Sequence, residues 1–346
     1  MAYTTIDKPS DYFNTKLYTG NSSTNAITGV GFQPNWVWIK DRDDTSFHTL
    51  FDSIRGATKR IFTNSTNAED TVSNSLTSFD SDGFTLGSHS GTNSNTNHVS
   101  WNWKAGTSFN NDASSTGIGT IDSAGSFNND SGFSIVSYTG TGSAGTIKHG
   151  LNSTPNWILL KNRIDGSLYW YNYLTVLGNN TELYLNATDA APSSTGAWNT
   201  TSPTSSVFSV GSHGGTNASG QATIAYCFAE KQGYSKFGSY TGNGNADGTY
   251  VHLGFKPAMV IVKLSSGSNN WNIHDNKRDT FNVVDRKLEP NVSDAESEDS
   301  PKDFLSNGFK CRGTGGNLNA SGSTYIYMAF AEQPFVTSSG VPACAR

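Results

Sequence analysis

Two glycine-rich segments of the sequence carry a histidine and an asparagine at the same spacing. Residues 86–93 read Leu-Gly-Ser-His-Ser-Gly-Thr-Asn, and residues 210–217 read Val-Gly-Ser-His-Gly-Gly-Thr-Asn. An imidazole near a carboxamide can hydrogen-bond a sugar or a carboxylate, so His89 and His213 are candidate ligand-binding residues. The same residue types also close tight turns by bonding to the backbone. The structural reading is favoured, because the third copy of the segment, residues 311–317, keeps its glycines but lacks the histidine.

Aromatic side chains in or next to polar segments form a second set of candidates. Exposed rings stack on the apolar faces of sugars and also anchor protein interfaces. The residues of this kind are Trp170, Tyr171, Trp198 and Trp271. A β-protein poor in leucine also needs its aromatic rings to fill its core, so burial is the alternative reading for each of them.

Sequence motifs typical of catalytic or metal-binding sites do not appear in the chain. It has no Gly-x-Ser-x-Gly segment, no phosphate-binding loop, and no recurring Asp or Glu that picks out a glycosidase pair. The seven histidines include no i,i+4 pair, and the acidic run 294–299 lacks the ligand spacing of an EF-hand. We therefore expect a protein that is not an enzyme, with no catalytic residues, no metal site and no cofactor.

Composition narrows the class of protein further. The net charge of −5 over 346 residues does not suggest nucleic-acid binding, and no apolar run is long enough to insert into a membrane. Abundant small polar residues, with 12% aromatics, predict a β-rich chain with many turns and little helix. The first residues do not resemble a signal peptide and the three cysteines are scattered, which favours synthesis in a reducing cytoplasm.

Three markers recur in the same order and divide the chain into three modules. Each module has a Tyr-Thr-Gly, at residues 18–20, 138–140 and 240–242. An apolar strand ending in lysine follows, at residues 36–40, 157–161 and 259–263. Each module ends in a closing strand, at residues 99–103, 224–228 and 326–330. Modules of about 100 residues are large enough for each to hold its own core.

The predicted fold is therefore all-β, with three tandem β-sandwich modules of jelly-roll type and little helix. Residues 1–106 are predicted to be module 1 with an N-terminal lead-in, and residues 107–130 a Gly/Ser/Asn-rich linker. Residues 131–230 and 231–335 are modules 2 and 3, and residues 336–346 are a C-terminal tail. Arg42, Arg163 and Arg278 are expected to clamp loops and carboxylates such as Asp52 or Asp275 rather than to bind a ligand.

Module 1 carries a set of longer motifs. They are Tyr-Thr-Gly at 18–20, Gly-Phe-x-Pro-x-Trp-Val-Trp-Ile-Lys at 31–40, Phe-Asp-Ser-Ile-Arg-Gly at 51–56, the segment 74–84, and Trp-Asn-Trp-Lys-Ala-Gly at 101–106. Together they resemble a repeated domain of virion proteins from tailed bacteriophages, marine phages in particular. Modules 2 and 3 keep the strand markers but lack the Phe-Asp-Ser-x-Arg-Gly segment, so they resemble diverged copies.

The resemblance implies a non-enzymatic virion protein exposed on the particle, either tail fibre, tail-associated or capsid-decorating. Such a protein makes assembly contacts and attaches to the host surface, and it resides in the virion after synthesis in the bacterial cytoplasm. Its expected partners are other virion proteins, further copies of itself and host-surface glycan. The alternatives are a carbohydrate-binding receptor-recognition module and, less favoured, a polysaccharide-degrading enzyme.

Overall fold

The computed structural model describes residues 4–334, which fold almost entirely into antiparallel β-sheets. The prediction of an all-β fold is confirmed. Helix within this range is limited to a 3-10 turn at Pro9–Asp11 and to the four-residue turns α1 (Ser90–Asn93), α2 (Ala113–Thr116) and α3 (Gly214–Asn217). No helix in the described range is long and apolar enough to cross a bilayer.

Module 1 forms two sheets that face each other. Its strands are β1 (Phe13–Thr19), β2 (Asn25–Thr28), β3 (Trp36–Asp41), β4 (Thr49–Asp52), β5 (Lys59–Phe62), β6 (Asp70–Thr71), β7 (Leu76–Asp80), β8 (Gly83–Leu86) and β9 (Asn97–Trp103). The large sheet has the order β1-β9-β3-β4-β5-β6, and the small sheet has the order β2-β8-β7.

Module 2 repeats this arrangement. Its strands are β10 (Thr107–Asn111), β11 (Ser123–Asn128), β12 (Phe133–Thr139), β13 (Gly145–Lys148), β14 (Trp157–Asn162), β15 (Trp170–Leu174), β16 (Leu183–Tyr184), β17 (Val207–Val210) and β18 (Ala222–Phe228). The large sheet has the order β10-β11-β12-β18-β14-β15-β16, and β13 pairs with β17 in the small sheet.

Module 3 also forms two sheets. Its strands are β19 (Ser235–Thr241), β20 (Tyr250–His252), β21 (Phe255–Leu264), β22 (Asn272–Asp275), β23 (Val284–Lys287), β24 (Ser297–Leu305), β25 (Gly308–Cys311) and β26 (Thr324–Pro334). The sheets have the orders β19-β26-β21-β22 and β20-β25-β24-β23. The tail predicted at residues 336–346 lies outside the described residues.

The segment 107–130 differs from its prediction as a linker. Residues 107–111 and 123–128 pair as β10 and β11, and β11 continues onto β12, so the segment extends the large sheet of module 2. Phe109 and Phe127 supply the apolar contacts, with ring centroids 6.1 Å apart beside the module 2 core. A strand at the edge of a sheet needs only a few apolar residues on one face, so its polar composition resembles that of a linker.

The same four strands lie side by side in every large sheet. The Tyr-Thr-Gly strand pairs with the closing strand, the closing strand with the apolar strand ending in lysine, and that strand with the next one along the chain. The register is also shared, because Trp36 lies opposite Trp103, Trp157 opposite Phe228, and Met259 opposite Phe330. Positions in the three modules can therefore be matched residue by residue.

Each closing strand is buried on both faces. In β18, Ile224, Tyr226 and Phe228 belong to one apolar cluster, while Ala225 and Cys227 belong to another. This follows from the two-residue alternation of side chains along a strand. The second cluster lies inside the sandwich of module 2, and modules 1 and 3 have their own equivalents. The first cluster contains residues of all three modules, so the expectation that each module holds only its own core is wrong.

This shared cluster lies where the three large sheets face one another, around a pseudo-threefold axis. Trp103, Phe228 and Phe330 occupy the same position in the three closing strands. Their ring centroids are 6.4, 5.6 and 5.9 Å apart, so each ring contacts the other two. Aromatic rings at such spacings remove a large apolar area from water. The three modules thus form one body around a common core.

A buried charge network, which we call a charge node, joins modules 1 and 2. Arg55 Nε lies 2.5 Å from Asp52 Oδ2, and both side chains are fully buried. Tyr226 of module 2 donates its hydroxyl to the same Asp52 oxygen at 2.6 Å. Arg163 of module 2 makes two hydrogen bonds, of 2.9 and 2.8 Å, to Glu69. Burial alone would raise the pKa of Glu69, but the hydrogen bond from Arg163 and the charges of Arg55 and Arg163 lower it.

A second charge node, with Asp275 and Arg278 in place of Asp52 and Arg55, joins modules 3 and 1. Arg278 Nε bonds Asp275 Oδ2 at 2.6 Å, and Trp101 of module 1 donates to that oxygen at 3.1 Å. Arg42 of module 1 makes two hydrogen bonds, of 3.0 and 2.7 Å, to Glu296. Arg42 and Arg163 each bind one glutamate of a neighbouring module, and Arg278 binds both Asp275 and Glu296. The expected pairing with Asp275 is thus present, whereas Asp52 is paired with Arg55.

The interface between modules 2 and 3 is apolar at the matching positions. Ser53, Thr175 and Asn276 make the same backbone hydrogen bond to the strand beside them, which aligns Leu174 with Asp52 and Asp275. By the same alignment Leu177 replaces the arginine and Ala191 the glutamate, while Met328 takes the place of Tyr226. Leu174 and Met328 belong to the shared core, with Leu177 and Ala191 packed against it. Equivalent positions at the module interfaces are therefore ionic in two cases and apolar in the third.

The ionic and apolar junctions together lead to a prediction about stability. Removing one residue of the charge node should destabilise the protein, whereas replacing the whole node by the apolar residues should not. Arg55→Leu alone leaves the buried Asp52 without a counter-charge, although Glu69 keeps Arg163, and should cost about 3–5 kcal/mol of stability. Replacing the whole node by its apolar counterpart (D52L, R55L, E69A, R163S and Y226M together) should restore most of that loss. Urea unfolding of the two variants beside the wild type measures both effects. A fivefold variant less stable than Arg55→Leu would show that the apolar solution depends on more than these residues.

A lysine is fully buried inside the sandwich of module 3. Lys302 Nζ lies 2.8 Å from His274 Nδ1 and donates to the Ser300 carbonyl at 3.0 Å. Burial lowers the pKa of Lys302 to about 7, and the charges of Lys287 and Arg278 act in the same direction. Burial and the charge of Lys302 in turn hold the pKa of His274 well below its usual range.

Lys302 should make stability rise with pH. The unfolded chain keeps this lysine protonated up to about pH 10, so between about pH 7 and pH 10 it binds one more proton than the folded state. Unfolding experiments at pH 6 and pH 10 should show that Lys302→Met removes a rise of a few kcal/mol present in the wild type. The surface variant Lys277→Met is the control and should retain the rise. An unchanged pH profile in Lys302→Met would contradict the assignment.

Candidate functional site

The Tyr-Thr-Gly motif is part of a latch that each module forms at one end of its sandwich. The hydroxyls of Tyr18, Tyr138 and Tyr240 donate to the carbonyls of Thr92, Thr216 and Leu318, at 2.7, 2.5 and 2.7 Å. The glycine of the motif lies against the backbone two residues beyond that carbonyl. A Cβ at Gly140, for example, would lie 2.3 Å from the Ala218 oxygen, so only glycine fits there.

The asparagine of the glycine-rich segment completes the latch. Asn217 donates to the carbonyls of Gly211 and Ser143 and accepts from the Thr141 amide. Asn93 and Asn319 make matching sets of bonds in modules 1 and 3. These asparagines are fully buried, so they close a turn and are not open to a ligand.

The two histidines cap the helical turns α1 and α3. His89 Nδ1 accepts from the Gly91 amide and His213 Nδ1 from the Gly215 amide, each at 3.0 Å. This is the role that an N-cap side chain plays at the start of a helix. Both residues are partly exposed. His89 Nε2 lies 2.8 Å from Arg60 Nη1, whereas His213 Nε2 has no hydrogen-bond partner within residues 4–334. The structural reading of the segment therefore accounts for one ring nitrogen of each histidine and leaves the other.

The four aromatic residues proposed as ligand contacts are all buried. Trp170 and Trp271 donate their indole N–H groups across module boundaries, to the carbonyls of Phe62 and Tyr184 at 2.7 and 2.9 Å. Trp198 packs on Tyr173 inside module 2, and Tyr171 lies beneath the His213 turn. None of the four offers an open ring face. Burial, the alternative reading, is therefore what the structure shows: neighbouring modules cover Trp170 and Trp271, and the interior of module 2 covers Trp198 and Tyr171.

A partly exposed cluster of aromatic residues includes His213, and we call it the module 2 patch. Its members are Tyr169, Tyr171, Glu182, Tyr184 and His213. Tyr169 is 42% exposed and stacks on Tyr184, with ring centroids 4.6 Å apart. The Tyr171 ring meets Tyr184 edge-on at 5.3 Å and His213 at 5.1 Å. A Cβ at Gly215 would lie 2.0 Å from Tyr171, so the glycine lets the turn close over this ring.

A carboxylate lies within the patch. Glu182 accepts the hydroxyl of Tyr184 at 2.6 Å through Oε1, and only 7% of the residue is exposed. Its Oε2 has no hydrogen-bond partner among the described residues. Burial, followed by the bond to Glu182, raises the pKa of Tyr184, and burial with the Glu182 charge also raises that of Tyr171. Both tyrosines are thus kept neutral chiefly by burial, and the nearby Glu182 carboxylate adds to the effect.

Module 1 has a counterpart with different chemistry. Phe47 packs on Phe62 at 4.7 Å, matching Tyr169 on Tyr184. Arg60, at the position of Glu182, pairs with Asp70 through two bonds of 2.7 and 2.8 Å. Its Nη1 also lies 2.8 Å from His89 Nε2. The polar groups of this counterpart are therefore satisfied within the chain. In module 3 the matching positions hold Asn270 and Glu289, without an aromatic pair.

The patch can bind through stacking and hydrogen bonds. Within residues 4–334 no three His, Cys, Asp or Glu side chains lie close enough to hold a metal ion. The sequence analysis brought Tyr171 and His213 into the candidate set and omitted Tyr169, Glu182 and Tyr184. The run Leu-Tyr-Trp-Tyr-Asn-Tyr at 168–173 carried part of the signal, since alternate residues of a strand share a face. Assigning that face required the neighbouring strand β16.

Comparisons with known proteins identify a family for this chain. Neither a curated protein nor a solved structure matches it. One family model, described as a domain of unknown function (DUF7483), matches residues 8–334. The match runs through all three modules without a break, as the shared core would lead one to expect. The chain belongs to the DUF7483 family.

Proposed function

We propose that this protein is a non-enzymatic structural component of a tailed-bacteriophage particle, exposed on its surface and engaged in assembly contacts and host attachment. The motifs of module 1 support the virion assignment through their resemblance to phage structural domains. The two ends of the folded body differ, and this difference supports the division into an assembly end and an outward end. It is the observation on which the proposal chiefly rests.

Both ends of the described chain lie at the same end of the body. The rings of Phe13, near the start, and Phe330, near the finish, are 5.1 Å apart, and Tyr12 packs on Tyr234 at 6.0 Å. We call this the terminal end. The Tyr-Thr-Gly latches and the loops after Lys40, Lys161 and Lys263 lie at the opposite, loop end, because the strands run from one to the other. A body of this kind can be held at one end and present loops at the other.

The terminal end carries the most exposed large apolar side chain of the described residues. Phe281, in the loop between β22 and β23, is 85% exposed, and Val283 beside it is 45% exposed. A cavity of about 320 Å³ opens under this loop, lined in part by Lys256, Asn282 and Glu332. Exposed aromatic rings next to a recess are typical anchors of protein interfaces. They suit an assembly contact with another virion protein or with a second copy of the chain.

The location of the protein can be tested on particles of the phage that encodes it. We expect peptides of this chain to sediment with the capsid and tail proteins through a density gradient, and labelled antibody to decorate intact particles. A chain that stays in the soluble fraction of the lysate, with none in the particle band, would refute the proposal.

The assembly end can be tested by adding purified chain back to particles that lack it. Phe281→Asp places a charge where an apolar contact is expected and should reduce rebinding at least about tenfold. Tyr169→Ala, at the loop end, should rebind like the wild type. Equal loss in both variants, or in neither, would contradict the assignment of the terminal end to assembly.

A carbohydrate-binding role in host recognition is the second candidate, and the module 2 patch favours it. The patch lies near the loop end, because Tyr169 precedes β15 where that strand pairs with the end of β14. It therefore points away from the terminal end. An aromatic ring beside a carboxylate and an imidazole provides the groups that sugars require.

A further inference from the structure

We propose that the module 2 patch is a binding site for an uncharged pyranose, whose apolar face stacks on Tyr169 and whose hydroxyls bond His213. This inference deepens the proposed function and rests on it, since it names what the loop end would recognise on a host surface. It is carried by a comparison that the chain itself provides, between the patch in module 2 and its counterpart in module 1.

Tyr169 provides a platform that is both exposed and fixed. Tyr184 covers one face of the ring at 4.6 Å, and the interplanar angle of 24° makes this a stacked pair. Tyr184 is held in turn by its hydrogen bond to Glu182 and by the edge of Tyr171. A ring already ordered by its neighbours loses little conformational entropy when a ligand stacks on it.

His213 provides a directed donor. Its Nδ1 accepts the Gly215 amide hydrogen, so the ring proton resides on Nε2. Among residues 4–334, Nε2 has no hydrogen-bond partner, and the residue is partly exposed. A sugar hydroxyl is a suitable acceptor for it.

Glu182 decides which sugars fit. Its carboxylate forms no ion pair with any described residue, and its Oε2 lacks a hydrogen-bond partner. A uronic acid placed on Tyr169 would set a second negative charge near this one, which costs free energy in a partly desolvated site. A neutral pyranose avoids that repulsion, so Glu182 acts on the choice of sugar through its charge from beneath the rings.

Module 1 shows what the same position looks like when it is closed. Phe47 and Phe62 reproduce the stacked pair, but Arg60 pairs with Asp70 and contacts His89 Nε2. In module 2 the residue at the position of Asp70 is Pro192, and Glu182 replaces Arg60. Asp70 neutralises Arg60 in the first patch. In the second, Glu182 forms no ion pair and His213 Nε2 has no hydrogen-bond partner within residues 4–334. The open patch is the one suited to a ligand.

Saturation-transfer difference NMR on the purified full chain tests the site directly. The probes are the methyl pyranosides of galactose, glucose, mannose and N-acetylglucosamine, with methyl galactopyranosiduronate as the charged counterpart. We expect saturation of ring protons in at least one neutral probe and a weaker effect in the uronate. Tyr169→Ala should weaken the bound probe about tenfold or more. Phe47→Ala, at the matching position of module 1, should leave it unchanged.

Two further variants separate binding from folding. His213→Asn keeps an oxygen to cap α3 but removes the Nε2 donor, and should weaken binding severalfold while His89→Asn does not. Glu182→Gln should raise uronate binding towards that of the neutral probe. The inference is overturned if no neutral probe shows transfer, if the uronate binds best to the wild type, or if Phe47→Ala loses as much as Tyr169→Ala. These outcomes concern the isolated chain, so they leave the test on particles unaffected.

Discussion

The shared aromatic core on the pseudo-threefold axis is the constraint on which the rest of this structure depends. Trp103, Phe228 and Phe330 meet there because three strands in the same register point the same alternate residues inward. Each closing strand then has no solvent-facing side, and each module is completed only by its neighbours. This explains why a chain with few leucines is rich in tryptophan and tyrosine. The rings fill two kinds of core, one inside each sandwich and one among the three large sheets.

The junctions around that core show how far the modules have diverged without losing the arrangement. Two junctions hold Asp-x-x-Arg pairs, Asp52 with Arg55 and Asp275 with Arg278, each linked to a glutamate that a neighbouring module clamps. The third uses leucines in the same geometry. A buried ion pair must offset the desolvation of its charges, whereas an apolar contact has no such cost, so the two can serve equally. The packing geometry therefore constrains these positions more strongly than their charge does.

The surface contrasts with this uniform interior. The latches formed by Tyr18, Tyr138 and Tyr240 are the same in all three modules. The patches beside them differ: they hold Phe47 with Arg60, Tyr169 with Glu182, and Asn270 with Lys287. A rigid repeated scaffold that varies its surface side chains suits recognition, because loop and edge residues can change without disturbing the core. The exposed Phe281 and the module 2 patch lie at opposite ends of the body, so the assembly and recognition roles that we propose would use separate surfaces.

The sequence by itself determined the all-β class, the threefold repetition, and the burial of the strand tryptophans and of Cys227, because these follow from side-chain alternation. Turn chemistry also identified the turn-closing Asn93 and Asn217, but not Asn319, which lies two residues beyond the segment 311–317. The Asp-x-x-Arg spacing of Asp52 with Arg55 and of Asp275 with Arg278 also indicates the charge nodes, although the residues around the two pairs differ. Only the tertiary structure decided that residues 107–111 and 123–128 belong to a sheet and that the modules share a core. It also decided that Trp170 and Trp271 are buried while Tyr169 is partly exposed. Alternation shows that a face is buried, but the surface that covers it can be 100 residues away, and that contact exists only once the three sheets have come together.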